Sequence, residues 1–169
     1  RAEGHLLGIN GAWLPDEKSI EAIKSLKDDE SLFFGKILLA SKIQPGESNL
    51  SYAAEKKVIQ IQGEPTLIQK TWNIFQYNGS EIKKDFELLT KGRKSKELTD
   101  PFTKVYNPEQ VFIEEGAIIK AAVLNAEGGP IYIGKNTEIQ EGSLIRGPFA
   151  LCDHSMVNMG AKLRGDTTV

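Results

Sequence analysis

Few side chains in this sequence carry chemistry of their own. It has two histidines, His5 and His154, and a single cysteine, Cys152. Two histidines cannot furnish a three-histidine zinc site. His154, in "LCDHSM", has the reach of a general base, or is a surface corner residue, and its place in the pattern favours the corner. Nothing around Cys152 marks a nucleophile. The densest run of one charge is Lys91, Arg93, Lys94 and Lys96, within "LLTKGRKSKELTDPF". Such a cluster can hold a phosphate or a nucleotide through charge-assisted hydrogen bonds. The same composition suits a solvated linker, and its position between two differently patterned segments favours that reading.

The elements that would have to position these groups follow two different rules. Ile133, Ile139, Ile145, Leu151, Val157, Leu163 and Val169 fall six apart. A helix repeats every 3.6 residues and a strand every two, so a fixed six is neither. It is the hexapeptide pattern of a parallel β-helix, predicted over residues 113–169. Each unit makes a short strand and a corner, and three units close one coil. Turn-formers follow two residues later (Gly147, Asp153, Gly165), and small side chains four residues later (Thr137, Ser143, Ser155, Ala161, Thr167), with Phe149 as the exception. Ile113 and Ile119 extend the register upstream, and two extra residues are assigned to "NAEGGP", a turn that can bulge from a corner. Met156 and Phe149 are expected on outward faces, as candidates for contact between copies.

The first hundred residues lack this period. "HLLGINGAWL" reads as a buried strand entering an Asn-Gly turn, and Asp16 as the cap of a helix with Ile20, Ile23 and Leu26 on one face. "SLFFGKILLA" and "VIQIQ" read as two further strands. "TLIQKTWNIFQYNGSEIKKDFELL" reads as two helices broken at Asn78-Gly79, with Ser80 capping the second. Strands alternating with helices imply an α/β layer. Two domains are therefore expected: 1–100, linker included, and 101–169.

Composition narrows the function. Net charge is −2, which gives no reason to expect nucleic acid or an anionic membrane as partner. A single cysteine fits a reducing cytoplasm, and no apolar run approaches a membrane span. The sequence opens on Arg1 and reaches an axial position at Val169, and so reads as a segment of a longer one.

An α/β layer joined by a basic linker to hexapeptide repeats resembles the sugar-1-phosphate nucleotidylyltransferases with a C-terminal left-handed β-helix, of the N-acetylglucosamine-1-phosphate uridylyltransferase-like kind. "TWNIFQYNGSEIKKDFELLTKGRKS", "NPEQVFIEEGA" and "GPIYIGKNTEIQEGSLIRGPFALC" are most similar to a divergent, Bacteroidetes-type subgroup. The resemblance implies a partial Rossmann-type layer followed by a left-handed β-helix. It also implies transfer of a nucleotide to a sugar 1-phosphate, possible use of Mg²⁺, possible acyl transfer by the β-helix, and a homotrimer. Nucleotides or sugar phosphates would be its small-molecule partners. In that family a strand delivers a turn whose aspartate helps hold the metal. The match places Asn10 and Gly11 on this turn and Ala12 where the carboxylate would stand, so no metal ligand is assigned. Asn78 is the nearest candidate for a second polar contact, or else an ordinary turn residue, and Arg93 is the candidate phosphate contact. Catalytic residues stay unassigned, and the family's glycine-rich nucleotide loop has no counterpart here. A non-catalytic binding or scaffold protein is the rival reading, favoured by Ala12.

Overall fold

The computed structural model describes residues 6–43 and 56–169, and by contact the chain falls into two compact units, Arg1–Thr71 and Trp72–Val169. His5 lies outside the described residues. The expected domain boundary near residue 100 follows the sequence pattern, whereas this division follows packing.

The first unit holds β1 (Leu6–Ile9), β2 (Trp13–Leu14), α1 (Glu17–Ser25), β3 (Glu30–Phe34), β4 (Ile37–Ile43), β5 (Lys57–Gln60) and β6 (Thr66–Leu67). One sheet has the order β1-β4-β3-β5, antiparallel except for the β3–β5 pair; β2 and β6 pair separately. Asp16 caps α1 as expected, its Oδ1 accepting from the Ser19 amide at 2.8 Å and the Ser19 hydroxyl at 2.6 Å. These bonds, the hydroxyl's first, hold the Asp16 carboxyl below its usual range. Ile23 and Leu26 then reach a core shared with Trp13, Leu32, Leu39, Ala40 and Leu67.

Two expectations change here. Residues 31–40 form a hairpin, not one strand, because Gly35 adopts φ +57° and turns the chain between β3 and β4. The strand at Leu6 is not buried: Leu6, Leu7 and Ile9 are exposed, since among the described residues β1 is an edge strand paired to β4 alone. Among the described residues of this unit, one helix and one parallel pair do not amount to a doubly wound parallel layer.

The second unit begins with α2 (Asn73–Thr90) and continues as β7 (Lys104–Tyr106), β8 (Val111–Ile113), β9 (Ile118–Ile119), β10 (Val123–Asn125), β11 (Ile131–Ile133) and β12 (Glu138–Ile139). It ends with β13 (Leu144–Arg146), β14 (Phe149–Leu151), β15 (Met156–Val157), β16 (Lys162–Leu163) and β17 (Thr167–Thr168). These strands stack in parallel as β7-β10-β13-β16, β8-β11-β14-β17 and β9-β12-β15, a β-solenoid of about three turns. Ile113, Ile133 and Leu151 stand in one ladder, Ile119, Ile139 and Val157 in the next, and Leu124, Ile145 and Leu163 in the third. All are buried except Leu163, which is half-buried in the last rung of its ladder.

Phe149 is fully buried, not outward. It lies two residues before the axial Leu151 on the same strand, so both side chains share the inner face. Val111 and Ile131 occupy the equivalent place in the ladder below. Met156 is exposed. Small polar residues fit beside the axis because their hydroxyls bond to backbone: Thr137 Oγ1 to the Gly134 carbonyl at 2.8 Å, Ser143 Oγ to that of Asn158 at 3.2 Å.

Residues 73–90 form one unbroken helix, not two. Asn78 and Gly79 sit in its interior, and Ser80 donates to the Tyr77 carbonyl without capping anything. The reason is tertiary. α2 lies against β14 and β17, and Gly79 is the residue that lets it approach, since a Cβ there would run into the Asp166 carboxylate.

Candidate functional site

In the first unit the turn at Asn10 is held by its own side chain. Asn10 Oδ1 accepts from the Ala12 amide at 3.0 Å, and Nδ2 donates to the Leu38 carbonyl at 2.9 Å. The Trp13 amide closes the turn on the Asn10 carbonyl at 3.0 Å. An asparagine that mimics a backbone turn in this way explains the Asn-Gly pair locally. Gly11 is exposed at the tip, with no atom within 4 Å of where a Cβ would stand. The turn therefore has an open tip, with the Ala12 and Trp13 amides engaged by Asn10, and no carboxylate.

In the second unit Asn78 is bound at both ends of its amide. Nδ2 donates to the Asp166 carbonyl at 2.8 Å, and Oδ1 accepts from the Thr168 hydroxyl at 2.9 Å. Its work is to dock α2 on the solenoid. Arg93 lies past the other end of the helix. Its Nη1 donates to the Leu89 carbonyl at 2.9 Å and its Nη2 to Glu114 Oε2 at 2.7 Å. The guanidinium also lies over the Phe112 ring, 5.1 Å from its centroid, and that ring stacks on Tyr132. Tyr132 donates to the other Glu114 oxygen at 2.7 Å. Asn78 and Arg93 are thus held by different coils and do not share a site. Lys96 is ion-paired with Glu115, so the basic linker is tied to the solenoid at two points.

The ionisation states follow from this network. Burial pushes the Glu114 carboxyl up, but the hydrogen bonds from Tyr132 and Arg93 outweigh it, and the group stays below its usual value. Burial first, then donation to Glu114, pushes the Tyr132 phenol up to about 12. Neither Glu114 nor Tyr132 stands out as a site residue in the sequence. The available signal was a glutamate directly after the axial Ile113, a place where an unpaired charge would be costly.

Among the described residues no cluster of three or more His, Cys, Asp or Glu could hold a metal ion. With Ala12 beside an asparagine whose amide is already engaged, the residues at the turn do not fit a divalent cation. His154 is an exposed corner residue with φ +62°, and Cys152 is exposed.

Residues 1–94 match the family described as sugar nucleotidyl transferase. The chain belongs to this family. The match spans Asn10, Gly11, Asn78 and Arg93, and ends where the basic linker begins to follow the solenoid. No curated protein and no solved structure matches the chain. Among the described residues no helix of this family member is long and apolar enough to cross a membrane.

Proposed function

We propose that this chain serves the transfer of a nucleotide from a nucleoside triphosphate to a sugar 1-phosphate. An oxygen of the sugar phosphate bonds to the α-phosphorus and pyrophosphate leaves. The observation that carries the reading is the family match over residues 1–94 followed directly by a β-solenoid. The chain's own contribution would be binding: the open turn at Gly11 for an anionic group, and backbone and amide contacts rather than a general base. The subgroup resemblance, a left-handed winding, trimerisation through the solenoid, acyl transfer and a cytoplasmic location belong to the same proposal.

A second reading has its own support. Ala12 offers a methyl group where a metal-binding carboxylate is expected, and this favours a protein that binds sugar nucleotides without turning them over. Pyrophosphate release decides between the two. Turnover with any nucleoside triphosphate and sugar 1-phosphate supports the enzyme. Saturable binding of a nucleotide sugar without pyrophosphate release supports the second reading.

A further inference from the structure

The sequence holds two Asn-Gly pairs, Asn10-Gly11 and Asn78-Gly79, and the structure treats them oppositely. Such a pair carries its own reactants. The glycine amide nitrogen is a nucleophile, the asparagine Cγ is an electrophile, and glycine has no side chain to obstruct their approach. Both asparagine side chains are hydrogen-bonded at nitrogen and at oxygen, so side-chain freedom does not tell the pairs apart. The glycine nitrogen does.

Gly79 lies inside α2, where its N–H is committed to the carbonyl four residues back. Gly11 stands exposed at the tip of its turn, with no atom within 4 Å of where a Cβ would stand. Among the described residues its amide donates to no other group. The Ala12 amide already donates to Asn10 Oδ1 at 3.0 Å. That oxygen gathers negative charge as Cγ becomes tetrahedral, and a donor in place beforehand lowers the barrier. At Asn78 the same oxygen accepts from the Thr168 hydroxyl, but no free nitrogen stands next to it.

We propose that Asn10 is a self-modifying site, which deamidates in the folded chain while Asn78 is spared. The Gly11 nitrogen gives its proton to water and bonds to Cγ. The Cγ–Nδ2 bond breaks, and Nδ2 takes a proton from water and leaves as ammonia. Water then opens the cyclic imide. Breaking its bond to Cγ leaves aspartate; breaking its bond to the backbone carbonyl leaves isoaspartate. Both products lose the donor that ties the turn to the Leu38 carbonyl of β4 at 2.9 Å, because a carboxylate only accepts. Isoaspartate also lengthens the chain between β1 and β2. Modification therefore loosens the first unit at this turn, independently of nucleotidyl transfer.

The test is peptide mapping by mass spectrometry of the whole chain, aged in mildly alkaline buffer made with oxygen-18 water. In the native chain Asn10 should convert at least about tenfold faster than Asn78, and in denaturant the two should convert at similar rates. The product at Asn10 should be a mixture of aspartate and isoaspartate carrying the label. Gly11→Ala fits the open turn without strain, since Gly11 has no positive φ, and should slow conversion at Asn10 by about tenfold or more. The aged native chain should melt below the fresh one, and the aged Gly11→Ala chain should not. Equal native rates at the two asparagines overturn the proposal. So do aspartate without isoaspartate, an unchanged rate in Gly11→Ala, or an aged chain that melts like the fresh one.

Discussion

Arg93 and Glu114 stand 2.7 Å apart, and Glu114 is almost fully buried while Arg93 reaches solvent. A buried carboxylate that loses this guanidinium is left charged and under-solvated, so the loss falls on stability. Arg93→Met should lower the melting temperature of the second unit, and adding Glu114→Gln should recover most of the loss. A melting temperature unchanged by Arg93→Met, with binding of a nucleotide or sugar phosphate lost, would instead identify Arg93 as a ligand contact free of its structural duty.

The same network sets a pH window. The Glu114 carboxyl is depressed on folding, so its contribution is present above the usual glutamate value of about 4.3 and is lost as pH falls through the lower folded value. Tyr132 behaves in the opposite sense. Between about 10 and about 12 the unfolded phenol gives up its proton while the folded one keeps it, so stability declines as pH rises through that window. Chemical denaturation against pH should show both limbs. Glu114→Gln should flatten the acid limb and Tyr132→Phe the alkaline one.

Ile145 and Leu163 separate a closed rung from an end rung. Ile145→Ala in the middle of its ladder should cost about 2–5 kcal/mol, as for other fully buried aliphatics. Leu163→Ala should cost clearly less, because Leu163 is only half-buried. Urea midpoints of the two variants provide the comparison. An equal cost would mean that another element covers the end rung.

What the sequence disclosed and what it hid divide along this axis. Ile133, Ile139, Ile145, Leu151 and Val157 were legible because each coil repeats the same burial, so the period survives in one dimension. Phe149 broke the small-residue rule and was read as outward, since the six-residue period does not reveal that two positions of one short strand face inward together. Asn78-Gly79 reads as a break by local propensity. It is helix because the solenoid supplies a partner 88 residues away, which no local rule can see. Of the candidate site, the turn at Asn10 was legible as a turn. The Arg93–Glu114–Tyr132 network was not, because it joins a linker to two successive coils.

Gly79 offers a direct test of that docking. In an open helix interior Gly→Ala stabilises by about 0.5–1 kcal/mol. Here the added methyl meets the Asp166 side chain, so Gly79→Ala alone should gain less than that or lose stability. In an Asp166→Ala background the same change should recover the gain of about 0.5–1 kcal/mol. The double-mutant cycle therefore has a coupling term of defined sign, and additive effects would mean that α2 does not rest on this corner.

Ala12→Asp tests the turn in the first unit. The position is half-buried, and its amide is held by Asn10 Oδ1 at 3.0 Å, so an aspartate can be accommodated without losing the turn. It would bring one hard oxygen ligand to a place where the neighbouring amide is already committed to Leu38. Mg²⁺ demands near-octahedral oxygen coordination and is held weakly by one carboxylate and water alone. The expected result for the chain is therefore no measurable gain in Mg²⁺ affinity by calorimetry and an unchanged melting temperature on adding Mg²⁺. A saturable Mg²⁺ site created by the single substitution would show that other ligands still surround the turn. The non-catalytic reading would then give way to an enzyme that lacks one metal-binding carboxylate.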